Sequence, residues 1–392
     1  MKKIISQDLL NVAVLILSLK IAFIVAAIFA YNLLPIGKSF YSVNFIYPPN
    51  DPFSVFSIFK TWDGQHYLFL ADRGYSSSGI SSTFYPLFPL LISLFNSLFN
   101  NILFSGLFVS NVLSFLGGVI FYMFVKKLFN KKTAFLSLII LLSFPTAFYF
   151  NVVYSESLFF FLSVAFFYFL YKKKLFTASI FAFFLPMTRG VGILILVPFI
   201  IFMITNFKNY KKISIPTFNK PINIYFAKEL FFLLSPLFGI LIYFIFMKAS
   251  TGDLFSAFES QEAFVGVYSL NSVFNPKQFM DLLFFEKVSL HGFSNSTLYR
   301  ISFMLYLISL PLVYKKTDKT LFSFVLVMGL TPLLGSFIGY LRYLLVIFPI
   351  FIALSRFFDT KKGRYLLYPY ISLSISLMVL FSIMHVLNYW VS

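Results

Sequence analysis

Cysteine is absent from this chain, histidine occurs three times, and acidic residues number only 13 in 392. The first absence excludes disulfides and thiolate metal sites. Three scattered histidines (His66, His291, His385) argue against a zinc enzyme, and no carboxylates cluster tightly enough to require another metal, so no cofactor is expected. His291 and His385 lack nearby partners and read as structural. Charge is scarce altogether, at 11% of residues, while 59% are hydrophobic and the mean hydropathy is +0.88. A soluble domain of this size cannot hide that much apolar surface. Internal repeats and low-complexity linkers are also missing, so one domain spanning 1–392 is expected.

What the chain does contain is a succession of apolar runs of about 20 residues, enough to cross a hydrocarbon core of roughly 30 Å. The net charge of +18 would suggest nucleic acid in a soluble protein. Here the basic residues sit in short clusters between apolar runs, the pattern of cytoplasmic loops, and no nucleic-acid partner is expected. The first run, Leu9 to Leu34, is longer than a signal-peptide core and lacks a small-x-small cleavage site, so it reads as a retained membrane helix.

Charge fixes the expected topology. If both apolar stretches before Lys126, Lys127, Lys131 and Lys132 crossed the membrane, those lysines would lie outside. The first stretch, Pro86 to Phe99, covers only about 21 Å as a helix and reads as re-entrant or interfacial. The clusters Lys126–Lys132, Lys172–Lys174, Lys208–Lys228, Lys315–Lys319 and Arg356–Arg364 then fall inside. With the N-terminus they hold 21 of the 31 Lys and Arg, and nine of the 13 acidic residues fall outside. The fold expected is an all-α polytopic membrane protein with about eleven transmembrane helices: 9–33, 102–125, 133–152, 157–171, 175–188, 190–207, 228–249, 298–314, 320–338, 342–357 and 365–388. Two long extracytoplasmic loops, 34–101 and 250–297, are too apolar for disorder and read as folded.

The first loop carries Thr61-Trp62-Asp63-Gly64-Gln65-His66-Tyr67, continuing to Asp72-Arg73-Gly74-Tyr75. On a helix of about ten residues Asp63, His66 and Tyr67 share a face, and Asp72 points the opposite way. Asp63 is either a helix cap or a catalytic carboxylate, and Trp62 either an interfacial anchor or part of a site. Tyr154-Ser155-Glu156-Ser157 opens a helix on the same side, as a cap or as ligands. Arg189 and Arg342 stand alone among apolar residues at outer helix ends, where they either snorkel or bind an anion. Lys20 is the deepest charge of the first helix and reads as a polar contact inside the bundle. Asp253 and Glu259 add acidic groups to the second loop. Carboxylates, cations and an apolar groove on one face suit sugar transfer from a polyprenyl phosphate. A carboxylate takes the acceptor proton, cations stabilise the leaving phosphate, and single displacement inverts the anomeric centre.

At Trp62-Asp63-Gly64-Gln65-His66 and Phe84-Tyr85-Pro86-Leu87-Phe88-Pro89 the chain resembles the GPI second-mannose transferases (PIG-V type) and their prokaryotic relatives, within the GT-C membrane glycosyltransferases. The likeness extends through Gly74-Tyr75, Phe144-Pro145-Thr146-Ala147-Phe148 with Tyr154-Ser155-Glu156-Ser157, Thr188-Arg189-Gly190 and Thr251-Gly252-Asp253 to Arg342-Tyr343 with Phe348-Pro349. These blocks keep their order over about three quarters of the chain. The resemblance implies a GT-C-type bundle, a dolichyl- or polyprenyl-phosphate-mannose donor, and Asp63 as base. His66 is the second catalytic candidate. Trp62, Tyr67, Tyr154, Glu156, Arg189, Asp253 and Arg342 are candidates for binding donor or acceptor, the latter a lipid-linked or glycan hydroxyl. The stretch Ser76 to Thr83, mostly serine, lacks the acidic residue that the family often carries there. Three other readings compete. A non-catalytic scaffold subunit would show no convergence of Asp, His and Arg on one face. A transporter or lipid flippase would place its charges at the midplane and show repeats. A protein O-mannosyltransferase would show an Asp-Glu pair in the first loop. The cell membrane, with membrane lipids around the helices, is the expected location.

Overall fold

The computed structural model describes residues 7–35, 38–76, 79–206, 224–265, 277, 280–281, 284–285, 289–290, 294–330 and 339–391. His291, most of the 208–228 basic cluster, much of the second long loop and the end of the expected 320–338 helix lie outside them. The regular elements among the described residues are helical apart from one two-residue antiparallel strand pair, Ser289–Leu290 with Ser294–Asn295. In order the helices are α1 (Gln7–Leu33), α2 (Lys38–Val43), α3 (Asp63–Arg73), α4 (Leu87–Phe99), α5 (Ile102–Leu128), α6 (Lys131–Leu142), α7 (Glu156–Tyr171), α8 (Leu175–Thr188), α9 (Leu196–Asn206), α10 (Ile224–Leu233), α11 (Ser235–Thr251) and α12 (Ser256–Val265). After them come α13 (Ser296–Lys316), α14 (Lys319–Gly329), α15 (Tyr340–Val346), α16 (Pro349–Phe358) and α17 (Arg364–Val386).

Four of these, α1, α5, α13 and α17, are long and apolar enough to cross a membrane by themselves. The pair α15 and α16 would count as a fifth, although it is bent by 76°. Six shorter apolar helices accompany them. Large apolar side chains such as Val14, Ile21, Val25 and Phe29 on α1, and Ile301, Leu305 and Ile308 on α13, face outward uncovered. Such a surface suits a lipid surround rather than water.

Several uninterrupted apolar runs are broken helices. The run 133–152 is helical only to Leu142, and Ala147–Asn151 continues as a 3-10 turn. Pro145 explains the stop, since it lacks an N–H and disfavours helical geometry at Phe144. The run 190–207 opens as a 3-10 turn, Gly190–Ile195, before α9. The run 228–249 breaks at Leu234, with Pro236 in the first turn of α11, where its missing N–H does no harm.

The basic clusters gather at one end of the bundle. Asp8, in the first turn of α1, pairs with Lys126 at 2.8 Å and Lys131 at 2.5 Å. Lys132 pairs with Asp359, the Lys127 ammonium donates to the Tyr171 carbonyl, and Tyr171 donates to Asp318. Arg356 reaches the Lys316 carbonyl. The first turn of α7 lies at the other end of a 16-residue helix, about 24 Å away at 1.5 Å per residue.

A half-buried lysine fixes the turn that leads there. Lys20 Nζ lies 2.9 Å from Asn111 Oδ1, 2.8 Å from Ser114 Oγ, 3.0 Å from the Phe150 carbonyl and 3.1 Å from Asn151 Oδ1. It ties α1 to α5 and to the Ala147–Asn151 turn. Lys20→Met would leave several of those acceptors unmatched, at about 1–3 kcal/mol per buried group. The variant should melt clearly below wild type in detergent. Equal melting temperatures would show that the lysine does not hold the turn.

Candidate active site

Two helices begin on an acidic residue, and both beginnings point to the same place. The backbone at Trp62 (φ 58°, ψ −118°) lies in a region that a bulky side chain rarely adopts, a strain of order 1–3 kcal/mol. It turns the chain so that α3 starts at Asp63. The start of α7 is docked beside it: Val153 N donates to the Phe59 carbonyl at 3.0 Å and Tyr154 OH to the Thr61 carbonyl at 2.9 Å. Two helix N-termini, with their partial positive charge, therefore face two carboxylates.

Neither sequence works as a side-chain cap. No side chain caps α3, and Asp63 Oδ2 instead accepts from Arg342 Nη1 at 2.7 Å. The Ser155 hydroxyl does not cap α7. It meets Tyr67 OH at 2.8 Å and accepts from Arg189 Nε at 3.2 Å. Glu156 Oε1 lies between the two arginines, 2.9 Å from Arg342 Nε and 2.5 Å from Arg189 Nη2. The chain of charges Asp63–Arg342–Glu156–Arg189 is neutral in sum. Its side chains are 7, 11, 0 and 12% exposed, so the arginines do not snorkel.

Aromatic rings enclose the network. The Arg342 guanidinium lies over Tyr149 and Tyr154 at 5.4 Å and over Trp390 at 5.7 Å. Arg189 lies over Tyr343 at 5.3 Å. Trp62 meets Trp390 edge-on at 5.5 Å. Its indole is buried, which replaces the interfacial-anchor reading. Burial raises the Asp63 carboxyl above the ordinary aspartate range, with Arg342 opposing the shift. Arg189 Nη1 is buried without a hydrogen-bond partner among the described residues.

Of the residues singled out in the sequence, Trp62, Asp63, Tyr67, Tyr154, Glu156, Arg189 and Arg342 are thus brought together. His66 and Asp253 are placed elsewhere. The His66 ring is stacked between Phe45 at 4.4 Å and Phe84 at 4.9 Å, with Nδ1 2.8 Å from Ser81 Oγ. It belongs to the core of the first loop, and burial lowers its pKa to about 4. Asp253 accepts from the Phe255 N–H at 3.1 Å and shapes the turn into α12. Asp72 is engaged by Tyr47 OH and Arg73, away from Asp63 as its helical position predicts.

Other residues of the site carried no local signal. Tyr149, Tyr343 and Trp390 look like ordinary membrane aromatics in the sequence, and Ser155 like a cap. The Phe84-Tyr85-Pro86 and Thr188-Arg189-Gly190 blocks do meet: a Cβ at Gly190 would stand 2.4 Å from the Tyr85 hydroxyl, while Tyr85 stacks on Tyr243 at 4.5 Å. The serine-rich stretch before Phe84 docks α12, with Ser82 Oγ 2.5 Å from Ser260 Oγ. At the far end of α3 a cleft of about 490 Å³ opens among Asp72, Arg73, Tyr75, Leu90, Phe246 and Ser250.

Residues 83–220 match the family model described as dolichyl-phosphate-mannose-protein mannosyltransferase. That segment contains Tyr154, Glu156 and Arg189, while Asp63 and Arg342 lie outside it. No curated protein matches the chain. Among solved structures it is similar to the Archaeoglobus fulgidus oligosaccharyltransferase in its apo form, at 13% identity and a TM-score of 0.45, over 96% of this chain and 56% of that one. It is also similar to the same archaeal enzyme, AglB, in complex with an inhibitory peptide and a dolichol-phosphate, at 13% identity and a TM-score of 0.43, over 94% and 55% of the two chains. The chain spans about half the length of the solved structures it matches.

Two outcomes follow from this geometry. Glu156→Gln weakens two ion pairs at once and leaves Arg189 without its carboxylate, whereas Asp63→Asn leaves Glu156 paired to both guanidiniums. Breaking a buried pair typically costs about 3–5 kcal/mol, so the Glu156→Gln variant should unfold more easily than Asp63→Asn. Comparable melting curves for the two would show that the shared carboxylate does not hold the site together. For His66 the folded pKa of about 4 lies below the ordinary value near 6.5, so the unfolded chain binds the extra proton first. Stability should therefore fall as pH drops from 6.5 towards 4, and His66→Gln should flatten that fall in melting curves recorded between those pH values.

Proposed function

We propose that this protein is a GT-C-type membrane glycosyltransferase that moves a hexose, mannose in the simplest case, from a polyprenyl- or dolichyl-phosphate to a hydroxyl acceptor. The observation that carries the reading is Asp63: a buried carboxylate, bonded through one oxygen to Arg342 and joined by three successive ion pairs to a guanidinium with a spare donor, Arg189. In the reaction the acceptor oxygen attacks the anomeric carbon as Asp63 takes its proton. The bond to the phosphate oxygen breaks, and the phosphate leaves with the electron pair. The donor is a phosphodiester with one negative charge, and the leaving monoester carries two. Arg189, through Nη1, meets the charge that develops. Inversion follows from the single displacement. His66, in this reading, shapes the first loop that presents Asp63.

The match to the protein mannosyltransferase model supports a lipid-phosphate sugar donor. It falls on the family that the sequence set aside for want of an Asp-Glu pair, so both a lipid-linked acceptor, as the PIG-V-type motifs imply, and a protein hydroxyl belong in the assay. The eleven-span topology, with the basic end cytoplasmic and the site extracytoplasmic, is part of the same proposal. The separation of the basic clusters from the Asp63 network by the length of α7 supports it. A cysteine at Asn130 in the otherwise cysteine-free chain should resist an impermeant reagent added outside cells, and labelling from outside would invert the topology.

Purified protein incubated with radiolabelled polyprenyl-phosphate-mannose and candidate acceptors tests the activity. Asp63→Asn should lose about 10²- to 10⁴-fold in turnover, the usual contribution of a general base, while Asp72→Asn stays close to wild type. An Asp63→Asn variant with near-full turnover would remove Asp63 from the mechanism. Arg189→Gln should weaken donor use about tenfold or more, since a charge-assisted contact is worth about 1.5–3 kcal/mol. The pH profile gives an independent check. A base must be unprotonated, so kcat/KM falls as pH drops through its pKa. Burial places that acid limb above the ordinary aspartate range, and Arg342→Gln should move it higher still.

A further inference from the structure

The chain at the end of α17 lies against the Arg342 side of the network, and two polar side chains there, His385 in the last turn of the helix and Asn388 just beyond it, are buried without hydrogen-bond partners. His385 is fully buried and Asn388 is 1% exposed. Both ring nitrogens of His385, and both the amide nitrogen and oxygen of Asn388, lack a hydrogen-bond partner among the described residues. Buried polar atoms are rarely left unmatched, and four within one helical turn is a concentration that calls for a polar ligand. The group is not remote from the chemistry. The His385 ring lies 5.4 Å from the Tyr149 ring and 5.8 Å from the Tyr154 ring, the same two rings that carry the Arg342 guanidinium. Three residues on, Asn388 takes a left-handed backbone, φ 68°. That reversal sends Trp390 back over Arg342 and against Trp62, and brings the Val391 carbonyl to the Tyr149 hydroxyl.

We infer that His385 and Asn388 form the part of the site that reads the hydroxyl groups of the transferred sugar. A hexose presents adjacent hydroxyls that each donate and accept, and this pair offers matching groups: an imidazole with one donor and one acceptor nitrogen, and an amide with both. The Phe148, Tyr149 and Tyr154 rings packed around His385 are of the kind that suit the C–H faces of a sugar ring. Phosphate fits the pair poorly, because neither side chain carries a fixed positive charge. The inference rests on the transfer reading above, and its test separates the two.

The measurement is the kcat/KM ratio between the hexosyl donor and a set of monodeoxy donors, which does not depend on how much of a preparation is active. A site built to bond a hydroxyl rejects the analogue lacking it strongly, by up to about 10⁴-fold or more. Wild type should therefore discriminate against at least one deoxy donor. His385→Phe keeps the ring and removes both nitrogens. Asn388→Gly keeps the left-handed backbone and removes the amide. Each should lower that discrimination by about tenfold or more while turning over the deoxy donor nearly as well as wild type. His385→Phe should also melt no lower than wild type, since it deletes unmatched buried atoms. If wild type transfers sugar but does not discriminate, or if both variants keep the wild-type ratio, the pair holds only water or packs the helix end, and the inference is overturned. If wild type transfers from no donor at all, the transfer reading itself has failed.

Discussion

One carboxylate, that of Glu156, sits between two guanidiniums in a part of the molecule from which water is excluded. The remaining site geometry depends on that constraint. A charge with no solvent must be paired, and each arginine here must be matched within hydrogen-bonding reach. Glu156 opens α7, Arg189 closes α8, Arg342 lies in the bent α15–α16 pair and Asp63 opens α3. Pairing them draws four segments that are far apart in sequence to one point. The break after Leu142 and the strained backbone at Trp62 are what allow α7 and α3 to begin there. Lys20 extends the same logic deeper, since its ammonium satisfies the Phe150 carbonyl and the Asn151 amide oxygen of the 3-10 turn that precedes Glu156.

Much of this was legible in the sequence because charge is so scarce. In a chain where 11% of residues are charged, a carboxylate or arginine at a helix end stands out, and Asp63, Glu156, Arg189 and Arg342 could be listed without a structure. That they pair with one another could not, because pairing across nearly three hundred residues leaves no trace in local spacing. Helix limits followed from hydropathy wherever a charge or glycine marked them, as at Tyr171 or Thr188. They failed inside runs such as 133–152, where Pro145 breaks a helix without interrupting the apolar pattern.

His66 shows the opposite failure. Positions i and i+3 are neighbours on an isolated helix, but they differ by about 60° in direction, and that is enough for two side chains to enter different environments. Asp63 turns to Arg342, and His66 turns into the loop core between Phe45 and Phe84. A helical wheel shows which residues are close along a face. It does not show which of them meets the rest of the fold. Trp390 was missed for a related reason: its role comes from the left-handed turn at Asn388, and nothing in the surrounding apolar sequence announces where that turn directs it.

A neutral network has a consequence for how an anion would be handled. Two carboxylates already balance the charge of the two guanidiniums, so an incoming phosphodiester with a single charge meets little net attraction and competes with groups that are permanently in place. A phosphate that is leaving, with a second charge, competes better. At the same moment Asp63, on taking a proton, gives up its claim on Arg342. In the proposed reaction both changes release positive potential when the donor bond breaks rather than when the donor binds. That is the condition for an interaction to accelerate the chemical step instead of merely tightening the complex. Arranged as two separate arginines without carboxylate partners, the same side chains would hold donor and leaving group alike and lose that difference.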